Sequence, residues 1–217
     1  MNTSSICEAL SGLTTAIIAD ALDAIGYRTQ CLGPSIRSLG AAGQVSGRVF
    51  TAKVEPVSEV PSSPYRLEMA AVDRMSEGDV LVVDGAHHQE SAFWGELLST
   101  ACVAKGVRGV VMSACCRDIN QVKRLDFPVF GIGTCPADSL GRIDVTEIER
   151  PIRIDGVKIS PGDWILGDSD GVVVIPAGAL AEVLERAEKK QKAESGVRTD
   201  LANGMPVSEA FRKHRIL

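Results

Sequence analysis

"GDVLVVDG", residues 78–85, is the stretch from which the fold follows. Val80-Leu81-Val82-Val83 is an unbroken apolar run, entered through Gly78-Asp79 and left through Asp84-Gly85. A strand with one wet face alternates; one that is apolar throughout is covered on both faces. Two similar runs follow, GVVMSA (109–114) and PVFGIG (128–133). Helix-like segments stand between them: Ser91 to Lys105, closed by Gly106, and Asp118 to Leu125. Strands alternating with helices imply parallel crossovers, so the chain is expected to be α/β with a partly parallel central sheet.

The flanks read less uniformly. Thr14 to Ile25 has apolar residues at helical spacing and stops at Gly26. Gly33, Pro34, Gly40 and Gly43 punctuate a loop, and Val45 to Val54 then reads as a strand. SEVPSSPYR (58–66) is a flexible loop, since Pro and Ser dominate it. Asp155-Gly156 inside IRIDGVKIS is a hairpin signal, and DWILGDSDGVVVIP (163–176) holds two more short strands. From Ala177 to about Asn203 the chain reads as helix, with a solvated charged face from Glu185 to Lys192. One domain over 1–217 is expected, with 178–217 as a C-terminal helical extension.

Bulk properties exclude several function classes. Hydrophobic residues make up 45% but aromatics only 4%, so the core is built from Val, Ile, Leu and Ala. A net charge of −5 argues against a nucleic-acid partner, whose phosphates need a basic face. No secretory signal or membrane-length apolar run is visible, and six cysteines show no CxxC, which together suggest a cytoplasmic protein with reduced thiols and no membrane partner. Neither GxGxxG nor GxxxxGK[ST] occurs, so a nucleotide cofactor lacks its backbone cradle.

In parallel α/β sheets, ligands bind beyond the carboxyl ends of the strands. The middle strands deliver Asp84 to His88, then Cys115-Cys116-Arg117-Asp118, then Gly133 to Cys135 to that edge. A helix beginning near Ser91 would point its free N–H groups at a substrate carboxylate there. Arg117 offers a planar fork to the same carboxylate or to a keto oxygen. Asp118 is a hard oxygen ligand suited to Mg²⁺ or Mn²⁺. Two plainer roles compete: Asp118 as the N-cap accepting the N–H of residue 120 or 121, and Arg117 as a surface ion pair. A zinc site from His87, His88, Cys115 and Cys116 is disfavoured, because adjacent residues in extended chain point to opposite sides. Cys115 and Cys116 read better as small apolar fillers at a strand end, Trp94 as packing or subunit contact, and His214 as a solvated tail residue.

The span from GDVLVVDG through WGELLSTACVAKGVRGVVMSACCRD to FPVFGIG resembles the class II 4-hydroxy-4-methyl-2-oxoglutarate / 4-carboxy-4-hydroxy-2-oxoadipate aldolases, the family that also holds the regulator of ribonuclease E activity. TTAIIADALDAIG, GDWILGDSDGVVVIP and the tail around TDLANG extend the resemblance over nearly the whole chain. The family's aldolase signature, an acidic residue, twenty intervening residues and then Arg-Asp, falls on Glu96, Arg117 and Asp118. The resemblance implies a layered αββα-type sandwich of swivelling-domain kind, whose C-terminal helix reaches a neighbouring subunit in a homotrimer or hexamer. It implies a divalent-metal-dependent lyase that cleaves 4-hydroxy-2-oxo (di)carboxylic acids to pyruvate and a second 2-oxo acid, with oxaloacetate decarboxylation as a side activity. In that scheme Arg117, Glu96 and Glu194 are catalytic, Glu194 acting in a neighbour's site; Gly95, Glu96, Leu97, Leu98 and Arg117 bind substrate; and Asp118 anchors Mg²⁺ or Mn²⁺. The loop from Gly85 to Ser91 is expected to help hold the substrate carboxylate. The family's other expectation is a non-catalytic, protein-binding regulator of ribonuclease E. This chain departs from the aldolases at Ser113 to Cys116, at His87-His88, and in having Glu96 where they carry aspartate.

Overall fold

The computed structural model of the chain describes residues 2–216. Two short helices open it, α1 (Thr3–Ser11) and α2 (Thr15–Asp23), each started by a side-chain cap, Asn2 and Thr14. A brief strand β1 (Arg37–Ser38) and the long β2 (Val45–Pro56) follow, then α3 (Arg66–Arg74). Next come β3 (Asp79–Trp94), α4 (Glu96–Ala104), β4 (Gly109–Cys116), α5 (Ile119–Arg124), β5 (Val129–Gly131) and β6 (Gly133–Thr134). The chain continues through β7 (Ile143–Ile148), the hairpin β8 (Ile152–Ile154) and β9 (Val157–Ile159), and the pair β10 (Trp164–Asp168) and β11 (Gly171–Ile175). A single 3₁₀ turn, Ala177–Ala179, leads into α6 (Leu180–Ala202), and α7 (Val207–His214) ends the fold.

The main sheet runs β1-β5-β4-β3-β2-β10-β11, with β6 beside β4 and β7 beside β2. Its centre, β2-β3-β4-β5, is parallel, as the apolar runs require, while β10 joins β2 antiparallel. Alternation along the strands splits the interior into three cores. Val80 and Val82 of β3, Val111 of β4, Ile165 of β10 and Val172 and Val174 of β11 share one inner core with the β8–β9 hairpin. Leu81, Val83, Val110 and Met112 face the other way, against α3, α4 and α5. Trp164, Leu166, Val173 and Ile175 face outward against α1, α2 and α6. The order is therefore helix, strand, strand, helix around a curled, nearly closed sheet, which is the expected αββα arrangement. Asp155 and Gly156 both take positive φ at the β8–β9 turn, as that dipeptide predicts.

Two expectations are corrected. The helix expected from Ser91 begins at Glu96, because Ser91 to Trp94 stay extended and buried, with Ala92 paired to Cys115 and Trp94 to Cys116. The pull of a fully buried parallel edge overrides helical spacing there. His214 is not a free tail residue: it ends α7 and bonds Asp200 of α6 at 2.6 Å. Helices α1 and α3 add two elements beyond those expected from the sequence. Among the described residues no single helix is long and apolar enough to cross a membrane.

Candidate active site

The parallel ladder between β3 and β4 builds the site. Where it ends, the Arg117 N–H donates to the Trp94 carbonyl at 2.8 Å, which holds Arg117 beside Gly95. Asp118 then turns into the left-handed region at φ 54°. Its carboxylate makes no cap bond to α5; Oδ2 instead accepts the Glu96 N–H at 3.4 Å, across to the start of α4. The plain N-cap reading is thus replaced by a contact between the two elements that carry the signature residues. Gly95 is required by closeness: a Cβ there would lie 2.8 Å from Asp118 Oδ2 and 3.3 Å from Arg117 Cγ. Behind it, Ser99 Oγ donates to the Gly95 carbonyl at 2.8 Å and accepts the buried Trp94 indole N–H at 2.9 Å.

A cavity of about 270 Å³ opens over this junction. Gly95, Glu96, Leu97, Leu98, Arg117 and Asp118 all line it, so the structure brings these sequence-selected residues together. As the first turn of α4, Leu97 and Leu98 carry backbone N–H groups without intrahelical partners, ready for an anion. Glu194 is not among the lining residues. It sits on α6 between Lys190, at 3.8 Å, and Arg198, at 3.7 Å. The loop Gly85 to Ser91 is also elsewhere, a correction to the expected carboxylate pocket. Ala86 and His87 take positive φ and bend the chain away, His87 pairs with Asp155 at 2.8 Å, and His88 meets Ser91 Oγ at 2.9 Å. The two histidines therefore leave the Arg117 cavity unobstructed. Cys115 and Cys116 are buried, and burial pushes the Cys116 thiol up to about 12, so they are packing rather than nucleophiles.

Three lining residues carry no obvious signal in the sequence: Tyr65, Glu68 and Asp138. Asp138 Oδ1 stands 3.2 Å from Arg117 Nη1, and Oδ2 accepts the Tyr65 hydroxyl at 2.7 Å. Burial works to raise the Asp138 carboxyl, but the Tyr65 hydroxyl, Arg117 and the backbone N–H groups of Ser139 and Leu140 outweigh it, leaving it below the usual range. The bond to Asp138, with burial adding to it, pushes the Tyr65 phenol up to about 12. Burial, then the nearby Asp138 and Asp144, pushes Glu68 up to about 8 against the pull of Arg117. Asp138 lies three residues beyond the third strand-end triplet, so carrying the strand-end rule slightly further along the loop would have found it.

The donor set can be tested against a divalent cation. Glu68, Glu96, Asp118 and Asp138 face Arg117 as the one cationic side chain lining the cavity. With Glu68 neutral, three carboxylates against one guanidinium leave two surplus negative charges, which one divalent cation would balance. Among the described residues no three His, Cys, Asp or Glu side chains gather to cage a metal, which removes the zinc alternative at His87, His88, Cys115 and Cys116. One or two half-exposed hard carboxylates suit a cation that keeps most of its waters, as Mg²⁺ and Mn²⁺ do.

A protein from Halalkalibacterium halodurans named "Putative 4-hydroxy-4-methyl-2-oxoglutarate aldolase" is 36% identical over 179 residues, 82% of this chain and 80% of that one. Protein DlpA of Legionella pneumophila is 28% identical over 95% of this chain, which spans about a third (33%) of DlpA's length. The crystal structure of RraAS2 from Streptomyces coelicolor, described as an unusual member of the RNase ES inhibitor RraA protein family, superposes with a TM-score of 0.83 at 26% identity, covering 92% of this chain and 99% of that one. The model of the RraA-like family, described as Aldolase/RraA, matches residues 15–174, and the chain belongs to that family.

Proposed function

We propose that the protein is a divalent-metal-dependent lyase that cleaves 4-hydroxy-2-oxo acids, 4-hydroxy-4-methyl-2-oxoglutarate among them, to pyruvate and a second 2-oxo acid. Oxaloacetate decarboxylation is its side activity. The observation that carries this reading is the convergence of Arg117, Asp118 and the free N-terminus of α4 on one cavity. Asp118 and Glu96 would hold Mg²⁺ or Mn²⁺, largely through its waters. When bound, that cation supplies positive charge at the 2-oxo oxygen and carboxylate of the substrate.

The chain's own residues account for the rest. Breaking the C3–C4 bond leaves a pyruvate enolate, and Arg117 places a fixed guanidinium where its charge develops. The N–H groups of Leu97 and Leu98 orient the carboxylate. Asp138, itself held by the Tyr65 hydroxyl, pairs with Arg117, so the fork is positioned before substrate arrives. Leu97 and Met69, both exposed and apolar, rim the cavity. They suit coverage by another copy, and a homotrimer or hexamer in which α6 carries Glu194 to a neighbour's site fits that placement.

Pyruvate release from a panel of 4-hydroxy-2-oxo acids and oxaloacetate, with and without metal, tests the reading. Release should require Mg²⁺ or Mn²⁺, Arg117→Ala should lower turnover by about 10³-fold or more, and Asp118→Asn should raise the metal concentration needed. Undiminished activity in chelator would sink the metal role. No release from any substrate would favour a protein-binding regulator, the reading that the likeness to RraAS2 supports.

A further inference from the structure

The cavity contains one ionisable group that the cleavage scheme leaves without a task. Glu68 lies in the first turn of α3, is only 8% exposed, and lines the same cavity as Arg117 and Asp138. Every other acid there is engaged. Asp118 accepts from the Glu96 N–H, Glu96 from the Thr100 hydroxyl, and Asp138 from Tyr65. Glu68 makes no hydrogen bond among the described residues, yet none of its oxygens is both fully enclosed and unpartnered. Its carboxyl therefore opens onto the cavity in which the proposed function places the substrate.

We infer that Glu68 is the acid that delivers a proton to the enolate carbon and so completes the formation of pyruvate. The assignment rests on the lyase reading above and adds to it the step that reading lacks. After the 4-hydroxyl proton has gone to the base, the C3–C4 electron pair becomes the enolate. The Glu68 O–H bond then breaks and a C3–H bond forms, giving the pyruvate methyl group. The Glu68 carboxylate takes a proton back from water, the base returns its proton to water, and nothing is oxidised or reduced.

The surroundings select Glu68 for this. Burial acts most strongly on it, and Asp138, from the loop after β6, and Asp144 of β7 add negative charge; Arg117, after β4, is the opposing cation. Asp118 after β4, Glu96 of α4 and Tyr65, ahead of α3, complete the charged and titratable lining. The result is a carboxylic acid that keeps its proton at neutral pH and loses it at about 8. Tyr65 is a poor substitute, because its proton is committed to Asp138.

The experiment follows exchange of the pyruvate methyl protons for deuterium, by proton NMR in heavy water, with the full chain and Mg²⁺ or Mn²⁺. The wild type should exchange, with a rate that rises as pH passes about 8, because removing a methyl proton needs the Glu68 carboxylate, while pyruvate release, which needs its acid form, falls over the same range. Glu68→Gln should lose about 10²-fold or more of the exchange and of pyruvate release, together with that limb of the pH profile. Infrared spectra of metal-free protein give a second readout: a protonated-carboxyl band that titrates away near pH 8 and is missing in Glu68→Gln. Should the Gln variant misfold, Glu68→Asp, set back by one methylene, should show slowed exchange with the pH limb retained. Exchange within about threefold of wild type in Glu68→Gln, or absence of the band, overturns the assignment. A wild type that shows the band but neither exchanges pyruvate nor releases it would instead overturn the lyase reading, and this assignment with it.

Discussion

At the scale of single residues, the site turns on how closely Gly95 lets Asp118 and Arg117 approach the start of α4. Its φ of −159° is open to any residue, so only the missing side chain matters. Gly95→Ala would put a methyl group against Asp118 Oδ2, and the carboxylate must then leave the Glu96 N–H. The expected outcome is a loss of about tenfold or more in turnover with a stability change of about 1 kcal/mol or less, checked by steady-state kinetics beside urea unfolding. Arg117 and Asp118 were legible because strand-end position and residue type coincide in one dipeptide. Tyr65, Glu68 and Asp138 were not, since their roles arise from the approach of α3 and the 135–142 loop to β4, contacts far apart in sequence. His87 and His88 attracted notice by type alone, and positive φ at Ala86 and His87 turns them to another surface.

At the scale of elements, the β3–α4 junction explains both a correct expectation and a wrong one. The apolar run in β3 announced a buried parallel strand, and the register with β2 and β4 follows from it. The extension to Trp94 was hidden, because SAFW suits a helix start as well as a strand and only pairing with Cys115 and Cys116 decides between them. Ser99 fastens the resulting corner by bonding both the Trp94 indole and the Gly95 carbonyl. Ser99→Ala leaves a buried N–H without a partner, which costs about 1–3 kcal/mol. Because the first turn of α4 also carries the substrate N–H groups, KM for pyruvate-forming substrates should rise in the same variant. Thermal unfolding and kinetics on one preparation check both effects, and a KM unchanged beside a clear loss of stability would separate the corner from the site.

For the whole molecule, the same burial that suits Glu68 to acid chemistry weighs on the fold as pH rises. Its ordinary value of 4.5 applies to the unfolded chain and about 8 to the folded one, so the native state holds the proton more tightly. The stability this gives is fully present below about pH 4.5 and is lost progressively until about 8, by on the order of a few kcal/mol. Asp138 and Asp168 act in the opposite direction: burial works to raise both, but hydrogen bonds and, at Asp138, Arg117 hold them low, Asp168 through Thr15 and the backbone after it. Their contribution is present above the ordinary carboxylate value of 3.8 and is lost as pH falls through the lowered values. The combined contribution of these three groups is thus greatest in mildly acidic solution, between these two losses. Glu68→Gln removes the alkaline loss and leaves the acid one. Urea midpoints at pH 5, 7 and 9 should show the variant close to wild type at pH 5 and increasingly more stable at 7 and 9, with unchanged slopes. A parallel pair of curves across that range would mean that Glu68 is ionised in the native cavity, and the balance of charge that leaves room for a divalent cation would have to be drawn again.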